Sequence, residues 1–188
     1  MAAINLGVTC AYIGEVHEAV EVLSYAMELS QEIGSSFAIL SAFWHLSSLQ
    51  IAQLNLRAAE NTCQQLEQAA QMPGLQRFPI NGYITLLLGE INMERGDLEA
   101  AERYLLESAG QMNPESFATT LLRGYVALSR LKTLQGDGES AEHYWQLAEQ
   151  LGRMSKLQGR SPLLSISRVR RWLEQGNLAA AEAWAAEN

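Results

Sequence analysis

Apolar residues along the chain cluster at spacings of three and four, the period of a helix with one buried stripe. The strand-like alternation of apolar and polar positions is hard to find anywhere. Short polar turns interrupt the pattern, and after each turn it returns with the same layout. One small residue marks the register: Ala19, Ala59, Ala101, Ala141 and Ala181 follow one another at intervals of 40, 42, 40 and 40. Five positions before each of them stand Gly14, Leu54, Gly96, Gly136 and Gly176. The clearest copy reads Gly96-Asp97-Leu98-Glu99-Ala100-Ala101-Glu102, and Gly176-Asn177-Leu178-Ala179-Ala180-Ala181-Glu182 echoes it.

This text spells a tight helix-to-helix turn. Glycine just past a helix end accepts a left-handed backbone, and Asp97, Asp137 or Asn177 caps the following helix. The anchor alanine is small so that the second helix can lie against the first. Thirteen residues ahead of the anchor come Leu6, Leu46, Leu88 and Leu128, each followed by a small residue, Gly7, Ser47, Gly89 or Ser129. A large residue beside a small one suits a close helix crossing. Leu23, Cys63, Leu105 and Trp145 continue the buried stripe one turn after the anchor.

The pattern predicts first helices at about 1–13, 35–53, 78–95, 115–135 and 162–175, and second helices at about 15–33, 55–72, 97–112, 138–154 and 177–187. Asn113-Pro114 and Ser161-Pro162 read as a cap followed by proline at the first helical position. Met72-Pro73-Gly74 and Phe78-Pro79 mark a longer inter-repeat loop. The whole of 1–188 reads as one repeat domain, with repeats at about 1–34, 35–76, 77–113, 114–160 and 161–188.

Composition narrows the function. With 188 residues, 48% of them hydrophobic, and only four prolines, the chain can bury its own core. A net charge of -8 opposes binding to a phosphate backbone, so nucleic-acid contact is not expected from this chain. Arg168, Arg170 and Arg171 are the local exception and read as a solvated helix face. Cys10 and Cys63 occupy apolar helical positions as small core residues, which fits a reducing cytoplasm. No apolar run is long enough to span a bilayer, and no signal peptide is visible. No metal is expected, since His17, His45 and His143 fall in separate repeats without ligand spacing. No paired-carboxylate site emerges either, so the chain is not expected to be an enzyme.

The leucine–small pair, the anchor alanine and the large residue after it resemble the tetratricopeptide (TPR) pattern across essentially the whole chain. The period of about 40 exceeds the usual 34. The usual aromatic nine before the anchor is replaced by Cys10, Gln50, Asn92 and Lys132, and repeat five has Arg168-Val169 in place of the leucine–small pair. Together with the stretches at 124–132, 167–177 and 179–185, these departures resemble the TPR-like sensor region of MalT-type, LuxR-family ATP-dependent transcriptional regulators. The resemblance implies an all-α, right-handed superhelical solenoid of about five hairpins. It also implies a nucleotide-binding module before this region and a helix-turn-helix after it. The chain itself has neither a phosphate-binding loop nor a basic recognition helix, so it calls for no cofactor and reads as a piece of a longer regulator.

In a TPR-like stack the first helices line the concave face, and counting back from each anchor names candidates. Tyr83 and Arg123 stand eighteen before their anchors, Trp44 fifteen (with Ile4, Leu86, Val126 and Ile166), Ser48, Glu90, Arg130 and Arg170 eleven, and Tyr12 and Glu94 seven. Stacked arginines beside Trp44 and Tyr83 suit an anionic or polyhydroxylated effector or a peptide strand. The competing reading pairs Arg130 and Arg170 with Glu90, Glu94 or Glu174. The expected function is an effector-sensing and protein-interaction or oligomerisation module of a bacterial transcriptional regulator. The alternative is a generic TPR scaffold that holds a partner protein or peptide in its groove. Self-association through an uncapped end, with Trp172 and Trp184 nearby, is a further expectation.

Overall fold

The structure, a computed structural model, describes residues 1–154 and 162–187. Among them lie ten α-helices and no strand. They are α1 (Ala2–Tyr12), α2 (Val16–Ile33), α3 (Ser36–Ala52), α4 (Leu56–Ala69), α5 (Ile80–Arg95), α6 (Leu98–Gln111), α7 (Ala118–Leu134), α8 (Gly138–Met154), α9 (Pro162–Glu174) and α10 (Leu178–Glu187). Consecutive helices pack against each other as hairpins, the all-α architecture of a helical-repeat protein. The helices form two compact units, 1–111 with α1 to α6 and 112–188 with α7 to α10.

Each hairpin closes through one backbone device. In the third, the Gly96 N–H donates to the Met93 carbonyl at 3.1 Å and the Asp97 N–H to the Asn92 carbonyl at 3.0 Å, the paired bonds of a Schellman motif. The motif needs φ near +80° at its turning residue, and Gly14, Gly96, Gly136 and Gly176 supply it at 88°, 81°, 78° and 71°. Leu54 adopts the same backbone at φ 58° and is the one described residue other than glycine with positive φ. The left-handed region costs such a residue about 1–2 kcal/mol, whereas glycine gives back about 0.4–1 kcal/mol through the unfolded chain. Leu54 is 65% exposed, so little burial is lost on truncation. Leu54→Gly is therefore expected to stabilise the fold by about 0.5–1 kcal/mol, read as a higher urea midpoint.

The caps follow the same register. Asn55, Asp97, Asp137 and Asn177 accept through Oδ1 from the N–H three residues on, at 3.4, 3.0, 3.0 and 3.3 Å. Hydrogen bonds from Ser140 hold the Asp137 carboxyl below its ordinary range, so this cap is ionised at neutral pH. The next N–H, that of the anchor alanine, donates to the carbonyl of the capping residue in every repeat.

The anchors are buried in all five copies, as are Leu23, Cys63, Leu105 and Trp145 one turn later. The small residues ahead of them mark close crossings. A Cβ on Gly7 would lie 2.7 Å from Leu23 Cγ, and one on Gly89 would lie 2.6 Å from Leu105 Cγ. In the fourth repeat Ser129 takes this place and donates its hydroxyl to the Ala141 carbonyl at 2.8 Å.

Three expectations are corrected. Residues 113–117 form a separate turn in which Asn113 Oδ1 takes the Glu115 N–H at 2.8 Å and the Asn113 carbonyl takes those of Ser116 and Phe117, so α7 starts only at Ala118. The second helix of repeat two stops at Ala69, and the loop after it holds a 3-10 turn, Leu75–Arg77, whose Leu75 is fully buried. Leu6 is 53% exposed, unlike Leu46 and Leu128, and α1 packs chiefly on α2 and, less, on α3. Pro162 does open α9, while its expected cap Ser161 lies outside the described residues, as does the expected repeat boundary at 160/161.

Candidate functional site

In the first unit, Trp44 of α3 and Tyr83 of α5 meet edge to face, with ring centroids 5.9 Å apart and planes at 89°. Both rings are half-buried. Stacked first helices set this pair, since neighbouring hairpins bring the same helix surface into register. Ser48, one turn beyond Trp44, donates its hydroxyl to the Trp44 carbonyl at 2.5 Å. Glu90 and Glu94 lie one turn apart on α5 and are half-buried, while Tyr12 stands 79% exposed at the end of α1. The position fifteen before the anchor is a core position in two repeats, with Ile4 and Leu86 at 2% and 0% exposure, so counting back overextends the face there.

In the second unit, Arg130 of α7 and Arg170 of α9 line one notch together with Arg171, Glu174 and Trp145. The notch measures about 40 Å³, room for no more than a few water molecules. Arg123, two turns earlier on α7, is half-buried and not part of its wall. Arg171, which the sequence pattern assigned to a solvated face, is firmly anchored. Its Nη2 donates to Glu142 Oε2 at 2.7 Å and its Nη1 to Ser129 Oγ at 3.1 Å, and its guanidinium lies 5.0 Å from the Trp145 ring centroid. Arg168 is exposed and pairs with Glu149 at 2.8 Å, which explains an arginine where other repeats carry leucine.

A recurring carboxylate links successive hairpins within each unit. Glu60 receives both guanidinium nitrogens of Arg95 at 2.5 and 2.7 Å, and this bond holds its carboxyl below the ordinary range. Glu142 plays the same part for Arg171. Both follow an anchor alanine directly, and the Ala-Glu pair recurs at 59–60, 101–102, 141–142 and 181–182. That recurrence was the available signal. The partner was harder to find, because Arg95 stands six and Arg171 ten residues before its own anchor.

A second recess lies on the opposite kind of surface, between the second helices α2 and α4 of the first unit. It measures about 740 Å³, and α3 contributes Leu46 and Gln50 to its wall. The sequence pattern shows Asn61, Gln65 and Gln68 at helical spacing but not that α4 stands away from α2.

Cys10 and Cys63 are free and buried, as core positions should be. Burial pushes the Cys63 thiol up to about 12, aided by the Glu60 carboxylate. Cys63 is expected to resist a thiol-alkylating reagent at pH 9, where an ordinary thiol is largely ionised, and to react at once in denaturant. Mass spectrometry of the alkylated chain reads this directly. Among the described residues, no three side chains of histidine, cysteine, aspartate or glutamate converge as a metal site requires, and no helix is long and apolar enough to cross a membrane.

A family model described as a MalT-like TPR region matches residues 1–188. No curated protein matches the sequence.

Proposed function

The chain belongs to the MalT-like TPR region family over its full length, and from that membership we propose that it is the effector-sensing and protein-interaction module of a bacterial transcriptional regulator. The family match along all five repeats carries the reading. The Trp44–Tyr83 pair and the arginines of α7 and α9 support it, because they put aromatic and cationic groups on first helices, where a repeat protein meets its ligands. The notch at Arg130 and Arg170 is too small for an effector as it stands, so binding requires α9 to shift. A ligand that favours the shifted form moves an equilibrium between resting and assembled states.

The test is a thermal-shift screen of the chain against sugars, sugar phosphates, carboxylates and nucleotides. A ligand at a hundredfold excess over its Kd adds about 2.7 kcal/mol, which raises Tm by about 5–10 °C in a chain of this size. The shift is expected to vanish in Arg130→Ala/Arg170→Ala. A hit unaffected by that double substitution, or no hit at all, would remove the arginine face from the proposal.

A further inference from the structure

The recess between α2 and α4 is a larger cavity than the arginine notch, and its chemistry differs. At about 740 Å³ it falls in the size range of ligand clefts. Its walls carry uncharged hydrogen-bonding groups: Ser24 and Gln31 from α2, Asn61, Gln65 and Gln68 from α4. Met27 and Met72 add adaptable apolar surface. Glu28 is the one charged residue in the lining, and no aromatic residue is present.

Gln50 makes the recess more than a gap between helices. Its side chain is buried to 6% exposure in the wall, and its Oε1 takes the Thr62 hydroxyl at 2.8 Å. Thr62 has a single hydroxyl proton and also lies 3.1 Å from the Ala58 carbonyl, so one polar atom of the Gln50 carboxamide, nitrogen or oxygen according to how the amide is turned, has no hydrogen-bond partner among the described residues. No fully enclosed side-chain nitrogen or oxygen lacks a partner among the described residues, so this atom keeps some exposure, and Gln50 is part of the recess wall. A buried carboxamide with one unused polar atom costs free energy unless water or a ligand satisfies it.

We infer that this recess is a peptide-binding site, which receives an extended, uncharged or basic segment of another protein. Four features select the occupant. Carboxamides match the paired donor and acceptor of a peptide group. Asn61 and Gln65 recur at about 6 Å along their helix, close to the roughly 6.6 Å between alternate residues of an extended strand. The lone Glu28 carboxylate disfavours anionic segments, and the missing aromatic platform argues against a sugar ring. The site lies on second helices and is independent of the arginine face.

Panning random octapeptides displayed on phage against the 188-residue chain tests this. The recovered peptides are expected to be depleted in aspartate and glutamate, and their synthetic, capped forms to bind by fluorescence anisotropy. Binding should weaken at least tenfold in Gln65→Ala/Gln68→Ala, two exposed positions whose loss leaves the melting curve unchanged, and likewise in Gln50→Leu. Glu28→Lys should relieve the bias against acidic peptides. Failure to recover any peptide above background would overturn the inference. So would peptides that bind the double variant equally well, or a neutral oligosaccharide mixture that binds the parent in their stead.

Discussion

Gly89→Leu is expected to lower the unfolding free energy by at least about 3 kcal/mol, and Gly89→Ala by about 1–2 kcal/mol. The second figure is the more informative, because glycine-to-alanine in an exposed helix gains about 1 kcal/mol from propensity. Here the new methyl would stand 2.6 and 2.7 Å from Cγ and Cδ2 of Leu105 and 3.3 Å from the Ala101 carbonyl oxygen. Leu105 is fully buried and cannot swing away. Overpacking therefore outweighs propensity. A double-mutant cycle in urea isolates the contact. Leu105→Ala alone should cost about 3 kcal/mol by leaving a cavity, and the Gly89→Ala/Leu105→Ala pair should cost at least about 1 kcal/mol less than the sum, since the methyl enters the vacated space. Strict additivity would mean that the two helices separate freely and that the close crossing is not what the small residue serves.

The second large effect concerns the second unit. Arg171→Met is expected to destabilise it by about 2 kcal/mol. A hydrogen bond to a charged partner contributes about 1.5–3 kcal/mol, discounted here because Glu142 is about half-exposed, at 49% of its side chain. The cation–π contact with Trp145 adds about 0.5–1 kcal/mol. Arg171 ties α9 to both α7 and α8 through Ser129, Glu142 and Trp145, so amide exchange in α9 and α10 should accelerate while α1 to α6 keep their protection. Arg171→Lys should recover less than half of the loss, because a point charge reaches Glu142 but neither stacks as a plane nor spans two acceptors. Unchanged exchange in α9 would show that apolar packing alone holds that helix.

Local features were read well from the residues because local forces set them. Hairpin turns, caps, anchors and the helix spans depend on spacings of five residues or fewer, and four glycines with one leucine in register announced the left-handed backbone. Where one text serves two geometries, reading failed: Asn113-Pro114 can cap a helix or make an isolated turn, and the choice rests on the Asn113 bonds to Glu115, Ser116 and Phe117. Candidate positions were harder still. Ile4 and Leu86 share the count of Trp44 yet are core, since which side of a first helix faces its neighbours depends on how the hairpins stack. Arg171 reads as one of three surface arginines until Trp145 and Glu142 are seen beneath it. The recess beside Gln50 depends on the separation of α2 and α4, a distance that no periodicity encodes.

The turns carry one consequence for how the chain acquires its shape. Every Schellman pair joins groups three and five residues apart, and the helices it connects are neighbours in sequence. Contacts of such short range place little entropic burden on the search for them. A hairpin can thus close on the ribosome soon after some forty residues have emerged, before its successor is made, and each finished hairpin offers a template on which the next one condenses.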